Sequence, residues 1–292
     1  MLIEFINKQS AYNFYRSLKE DEDFDEVQLM TGDDNTIERK RILKLVKEKK
    51  SIILVSTQVV EAGVDIDMDI GYKDISKLDS DEQFMGRINR SCKKDGTVYF
   101  FNLDKMESIY KNDIRANKSL SLLDENMKEI LVDKNFESYY KPVIEKLKED
   151  YNESFSETNI EDFFVEIVGN LKFKDVETRM RLIEDDRWHM SVYLSSEIKK
   201  DDGTILDGKA IWEEYEELLK DNKLSYSEKE VKLSRVRSLM NNFIYEIMKC
   251  DTFPYTQKIG ELYYIENGDK YFDDGKLNKE RFISGVGDFI EI

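Results

Sequence analysis

Three residue types are scarce in this chain, and each shortage excludes a class of chemistry. Its 292 residues include one histidine, two cysteines and two prolines. With His189 alone, a histidine-rich metal nuclease centre is impossible. A Ser-His-Asp or Cys-His nucleophile would have to use that same residue, in a stretch with no nucleophile elbow. Cys92 and Cys250 are too few for a disulfide framework, which fits a reducing cytosol and a cytoplasmic location. No apolar run approaches the roughly 20 residues of a membrane span, so no membrane partner is expected. The opening Met1-Leu-Ile-Glu-Phe-Ile6 has no basic region and no cleavage site, so no secretory signal is read there. A phosphate-cradling G-x-x-x-x-G-K-[ST] loop is also missing. The two Gly-Lys pairs, Gly208-Lys209 and Gly275-Lys276, are followed by Ala210 and Leu277. Asp25-Glu26 and Asp81-Glu82 both fall in segments read as polar loops, so neither follows an apolar strand as a magnesium-binding pair would.

Charge is abundant and unevenly spread. The net charge is −17, with 37% charged and 40% hydrophobic residues. Residues 1–105 carry 17 basic and 21 acidic side chains, whereas 106–292 carry 28 and 41. Nucleic-acid binding is not what such acidity suggests. Any phosphate contact must come from a local patch, from backbone amides or from helix N-termini. The second part reads as a solvated or partner-facing module.

Strand and helix alternate through the first 105 residues. Residues 2–6 read as a buried strand, and Ala11, Phe14, Tyr15 and Leu18 have helical spacing over 7–20. Val27–Met30 reads as a second strand. Asn35 or Thr36 caps a helix to about Lys49, with a basic face of Arg39, Lys40, Arg41 and Lys44 read as solvated. Ser51–Ser56 is apolar on both faces, as a central parallel strand should be. Ile70–Ile75 and Thr97–Phe101 complete the set, with a helix capped by Asp79 or Ser80 between them. This is a parallel α/β unit, whose ligand loops lie beyond the carboxyl ends of the strands.

Beyond residue 105 the pattern becomes mostly helical with a few strands. Helices are expected over 106–150, 159–170, 209–219 and 227–248. Strands are expected at 181–184 and 190–194, and a hairpin around Asn267-Gly268. Tyr139-Tyr140, Phe163-Phe164, Trp188 and His189 are read as structural. There is no internal repeat, and with so few prolines the boundary near 105 is soft. The expected domains are 1–105 and 106–292.

Two blocks carry the chemistry. Ser56-Thr-Gln-Val-Val-Glu-Ala-Gly-Val-Asp-Ile-Asp67 leaves a buried strand as a polar, glycine-containing loop. Within it Gly63 permits a tight turn, Asp65 can accept from a ribose or an arginine, and Thr57 and Gln58 can donate to phosphates. Then comes Gln83-Phe-Met-Gly-Arg-Ile-Asn-Arg90. On a helix Gln83, Arg87 and Arg90 would share one face, with Gly86 allowing close approach. Paired guanidiniums suit phosphoryl transfer, where an arginine supplied from outside stabilises charge developing on the γ-phosphate.

In order and spacing these blocks resemble motifs V and VI of superfamily 2 helicases. Leu2-Ile-Glu-Phe-Ile-Asn7 resembles the strand of motif IV, and Leu29-Met-Thr-Gly32 with Glu38-Arg39 resembles motif IVa. Within that superfamily the first block most resembles the CRISPR-associated helicase–nuclease of type I systems. Arg181–Asp186 and the region Tyr263–Gly275 resemble its accessory domain more loosely. The resemblance implies a second RecA-like lobe followed by a linker and accessory domain. It implies Arg87 and Arg90 as the nucleotide-sensing pair, with Arg90 the arginine finger and Gln83 sensing across the cleft. Gly63 and Asp65 would lie near the ribose of ATP, and Asn7, Thr31, Gly32, Thr57 and Gln58 on a single-stranded DNA track. The family's first RecA-like lobe, which would hold magnesium, and its nuclease domain have no counterpart in these residues. The expectation is therefore a piece of a larger machine, inactive as an ATPase alone and partnered by that lobe, the nuclease domain and the CRISPR surveillance complex. A non-enzymatic docking lobe and another superfamily 2 motor remain open readings.

Overall fold

The computed structural model describes residues 1–24, 26–48, 51–111, 113–153, 163–180, 189–250 and 253–284. Contacts divide the chain into two units, Met1–Gly32 with Val46–Glu184, and Asp33–Leu45 with Asp185–Ile292.

The first unit is built on five parallel strands. These are β1 (Leu2–Glu4), β2 (Val27–Met30), β3 (Ile53–Ser56), β4 (Ile70–Asp74) and β5 (Thr97–Phe101), in the order β2-β3-β1-β4-β5. Since every pairing is parallel, the loops following the strands all leave from one edge of the sheet. β1 is central and wholly buried. Helix α1 (Lys8–Glu20) starts at Asn7, whose side-chain oxygen accepts the Gln9 amide at 2.8 Å. It lays Ala11 and Tyr15 on Ile3, Phe5, Leu29 and Val55.

Helix α2 (Thr36–Glu48) starts at Asn35, whose Oδ1 accepts the Glu38 amide at 2.9 Å. Helix α3 (Leu78–Met85) is shorter than its sequence suggests. It opens at Lys77 rather than at Asp79 or Ser80, and it closes at Gly86. The predicted helix through Arg90 is therefore corrected. Residues 87–89 are drawn out of the helix to pair with Met68, which donates to the Arg87 carbonyl at 3.0 Å and accepts the Asn89 amide at 2.7 Å. The close approach expected of Gly86 belongs instead to Gly71 on β4. A Cβ there would meet Phe84 and Ile88 at 2.8 Å.

After β5 the stretch read as continuously helical is broken. It contains α4 (Met106–Ile109), a 3-10 turn at Lys118–Leu120, α5 (Glu125–Asp133) and α6 (Phe136–Glu153). Asn117 and Asp124 each cap a new start, and Lys134 ends α5 in the left-handed region at φ 58°. Met106, Leu122, Met127, Leu131, Tyr139 and Val143 share one core with Ile6, Ile75 and Leu78. Phe163–Val168 forms a π-helical turn before α7 (Phe173–Arg179). Of the helix expected over 159–170, residues 159–162 lie outside the described residues.

The second unit holds a four-stranded sheet ordered β10-β11-β6-β9. Its strands are β6 (His189–Leu194), β9 (Ile244–Met248), β10 (Gln257–Ile259) and β11 (Leu262–Ile265). Two small ribbons accompany it, β7 (Glu197–Lys199) with β8 (Ile205–Asp207), and β12 (Phe272–Asp273) with β13 (Lys276–Leu277). Helices α8 (Gly208–Lys220) and α9 (Tyr226–Met240) pack with Tyr193, Trp212, Phe243 and Tyr264 at its core. In the same unit Lys276 reaches Asp34 at 2.6 Å and Glu38 at 3.2 Å, tying β13 to the start of α2.

Two sequence readings are corrected here. The helix expected over 227–248 stops at Met240, and 244–248 alternate between buried and exposed as a strand does. The hairpin turns at Gly260 (φ 60°), not at Asn267-Gly268. Gly268 opens a 3-10 turn packed so tightly on the Leu194–Ser195 backbone that a Cβ would lie 2.6 Å away. Trp188 and Arg181–Asp186 lie outside the described residues. Among the described residues no helix is long and apolar enough to cross a membrane.

Candidate functional site

The loop after β3 begins buried and becomes exposed. Thr57 is buried, and Gln58 opens a 3-10 turn through Val60. The Gln58 amide donates inward, to the Ile6 carbonyl at 2.9 Å and the Tyr110 hydroxyl at 2.7 Å. Of the two residues expected on a nucleic-acid track, Gln58 thus points inward and Thr57 beside it is buried. Gly63 follows at φ 71°, a left-handed value that favours glycine. Nothing lies within 4 Å of the place its Cβ would occupy, so conformation rather than crowding selects it. Asp65 and Asp67 are exposed on the far limb of the loop.

The two arginines divide their work. Arg87 is half-buried and turns back on the loop, with Nε donating to the Val60 carbonyl at 2.9 Å and Nη2 donating to the Glu61 carbonyl. It braces the backbone just before Gly63. Arg90 is exposed and carried by a fixed turn. Asp67 accepts the Arg90 amide at 2.8 Å and the Ser91 amide at 3.2 Å. Hydrogen bonds from Ser91, then from Arg90, with the nearby Lys93 charge, hold the Asp67 carboxyl below its ordinary range. The Arg90 guanidinium lies 2.8 Å from Asp65, which Lys47 also approaches at 3.2 Å. The contact with Arg90 is one of the two expected for Asp65. Gln83 is exposed near the end of α3.

At the next two loops, Asn7 caps α1 and Thr31 is buried at the end of β2. Gly32 is exposed, and the space beside it is bounded by the Lys8 ammonium at 3.6 Å and by Val59 at 3.9 Å. The loops after β1, β2 and β3 therefore converge at one spot carrying a lysine.

Sequence reasoning missed a buried charge cluster beneath this edge. The β1–β4 register sets Glu4 beside Lys73. The Lys73 ammonium, fully buried, lies 2.7 Å from Glu4 and 3.7 Å from both Glu61 and Asp81. Ser76 accepts from it at 3.0 Å. Asp81, read as part of a polar loop, is a fully buried residue of α3 and accepts from the Ser76 amide and hydroxyl. Ser80 donates to Glu61. Burial drives the Glu4 carboxyl up to about 8 and that of Asp81 up to about 6, against the lowering pull of Lys73. The carboxylates raise Lys73 above its ordinary value. The available signal was charge inside two short strands, Glu4 in β1 and Lys73 with Asp74 in β4.

Residues 3–93 match the family model described as CRISPR-associated nuclease/helicase Cas3, C-terminal. That stretch is similar to the C-terminal part of such a nuclease/helicase. A CRISPR-associated nuclease/helicase Cas3 of Methanothermobacter thermautotrophicus is 27% identical over 178 residues, 54% of this chain and 21% of its own. The structure of T. fusca Cas3 aligns over 90% of this chain and 35% of its own, with TM-score 0.51 at 12% identity. Its Cas3-ATP structure aligns over the same shares with TM-score 0.50 at 13% identity. At such identity the likeness is one of fold. This chain spans about a fifth of the length of the curated Cas3 and about a third of the solved one. The matched stretch runs from Ile3 to Lys93 and takes in Asn7, Gly32, the loop after β3 and the arginine turn.

Proposed function

We propose that the Cas3-like unit is the second RecA-like lobe of an ATP-dependent single-stranded DNA translocase acting in type I CRISPR interference. The observation that carries this reading is the division between the two arginines. Arg87 is spent on its own loop, whereas Arg90 is half-exposed on a turn that Asp67 holds still. A guanidinium presented in this way suits charge stabilisation on a phosphoryl group delivered by another domain. The residues present fit one side of an ATP site only: Arg90 and Gln83 toward the phosphates, Gly63 and Asp65 toward the ribose. The phosphate cradle and the magnesium-binding acid belong, in this reading, to a first RecA-like lobe. When bound there, ATP supplies the phosphoryl group and magnesium neutralises it. The part of this chain is to present Arg90, exchanging its exposed contact with Asp65 for the nucleotide.

The Gly32 and Lys8 spot, with Asn7 beside it, is the candidate backbone contact for DNA, of a kind that would not read sequence. The partners of the whole machine would be the nuclease domain and the CRISPR surveillance complex, in the cytoplasm. The test mixes this chain with a separately produced first lobe. DNA-stimulated ATP hydrolysis by the mixture, and by neither part alone, supports the reading. A tight complex with no hydrolysis contradicts it and favours a docking lobe, for which the acidity of residues 106–292 argues.

A further inference from the structure

Lys73 and the three carboxyl side chains around it come from four different pieces of the first unit. Glu4 is on β1, Glu61 on the loop after β3, Lys73 on β4 and Asp81 on α3. One ammonium faces three carboxyl groups, of which only Glu61 has any exposure, 14%. Neither Glu4 oxygen receives an aligned hydrogen bond, and nor does Asp81 Oδ2. Burial raises the Glu4 and Asp81 carboxyls, because carboxyl groups gathered around one cation in a buried site resist ionising together. The other ionisable groups facing the cluster are few. Asp74 is bonded to the Leu103 and Asp104 amides, and the Tyr110 hydroxyl accepts from Gln58.

The cluster touches the candidate site at two points. Glu61 accepts from Ser80 of α3 through its side chain and from Arg87 through its carbonyl. Asp81 lies two residues before Gln83 on the helix that ends in the arginine turn.

We propose that Lys73 is a positioning residue. By gathering Glu4, Glu61 and Asp81 around one ammonium, it fixes the 58–65 loop against α3 and so sets where the turn presents Arg90. This deepens the function proposed above, but the mechanical claim can be tested without nucleotide or partner. When the Glu4 O–H bond breaks and its proton goes to solvent, the new carboxylate repels the carboxyl groups beside it. The loop then loosens from α3.

Amide hydrogen exchange on the full chain, corrected for the intrinsic rise with pH, reads this directly. From pH 7 to pH 9 the wild type should gain at least about tenfold in exchange over 58–65 and 86–91, with α1 and β2 unchanged. Glu4→Gln removes the carboxyl that takes up and releases the proton, so its exchange should stay flat with pH. Lys73→Met should raise exchange in the same two segments already at pH 7. If Glu4→Gln follows the wild type with pH, or if Lys73→Met loosens the whole sheet evenly, the proposal is overturned. Should Lys73→Met fail to fold, the comparison of Glu4→Gln with wild type decides alone. Failure of the ATPase reconstitution with a normal exchange pattern would count against the helicase reading and not against this one.

Discussion

Replacing Arg87 with alanine separates the bracing arginine from the reaching one. The change removes two charge-assisted hydrogen bonds, to the Val60 and Glu61 carbonyls, and leaves those carbonyls without that donor. Hydrogen bonds to a charged group contribute about 1.5–3 kcal/mol each. Arg87 is only half-buried, so the lower end applies and the two together come to about 3 kcal/mol. For a unit of this size each kcal/mol moves the melting temperature by about 2–4 °C, which gives a fall of about 6–12 °C. Arg90→Ala removes one contact between side chains that are 47% and 76% exposed. An exposed pair of this kind contributes less than about 1 kcal/mol. Scanning calorimetry of the two variants beside wild type measures both effects. Equal losses, or a change below about 0.5 kcal/mol for Arg87→Ala, would refute the assignment of one arginine to structure and the other to reach.

Other outcomes follow from the same geometry. Gly71→Val drives a side chain into Phe84 and Ile88, at 2.8 Å even for its Cβ; it should cost about 1–3 kcal/mol in urea unfolding, and a neutral result would show that the contact yields. The folded chain keeps a proton on the Glu4 cluster that the unfolded chain has released above its ordinary 4.5. Stability from this group is therefore complete below pH 4.5 and lost as pH rises toward about 8, with a slope of at most about 1.4 kcal/mol per pH unit. Urea midpoints between pH 6 and pH 8, above the range in which Asp81 also contributes, should show the slope in wild type and lose it in Glu4→Gln. The opposite sign holds for Asp113, which the Arg115 hydrogen bond lowers from 3.8 to about 2; its contribution is present above pH 3.8 and disappears as pH falls through 2, a loss that Arg115→Ala should abolish. In the second unit, Tyr193→Phe deletes a buried hydroxyl that donates to the Gly208 carbonyl at 2.7 Å. A loss of about 1–2 kcal/mol is expected, and tryptophan fluorescence can follow it because Trp212 packs on that ring at 5.0 Å.

The sheet was legible because its strands announce themselves: apolar runs of four to six residues, bounded by polar loops and separated by helical spacing. Val27–Met30 and Thr97–Phe101 stand where the pattern put them. The arginine turn was not legible, because the forces that end α3 at Gly86 are tertiary. Pairing of Ile88 with Met68, and the seat for Phe84 and Ile88 on Gly71, involve residues far apart in sequence. Local propensity alone favours one continued helix. Asp81 was misread for a related reason, since its only local neighbours are polar and its lysine comes from a strand eight residues earlier. In the second unit the strand at 244–248 hid behind a long charged helix. Its alternation occupies only five residues, too few to outweigh the preceding pattern. The hairpin turn was drawn toward Asn267-Gly268 by the strongest local turn pair. Gly260 serves instead because Lys258 and Tyr263 pair across the strands at that register.

The reading of Arg90 as the residue that completes an ATP site held by another lobe is tested most directly by single-turnover ATP hydrolysis in a mixture of this chain, a separately produced first lobe and single-stranded DNA. Arg90→Ala should lower the rate by about 10³-fold or more, the range of an arginine finger, while leaving complex formation and melting temperature near wild type. A mixture that hydrolyses ATP equally well with alanine at position 90 would contradict the account.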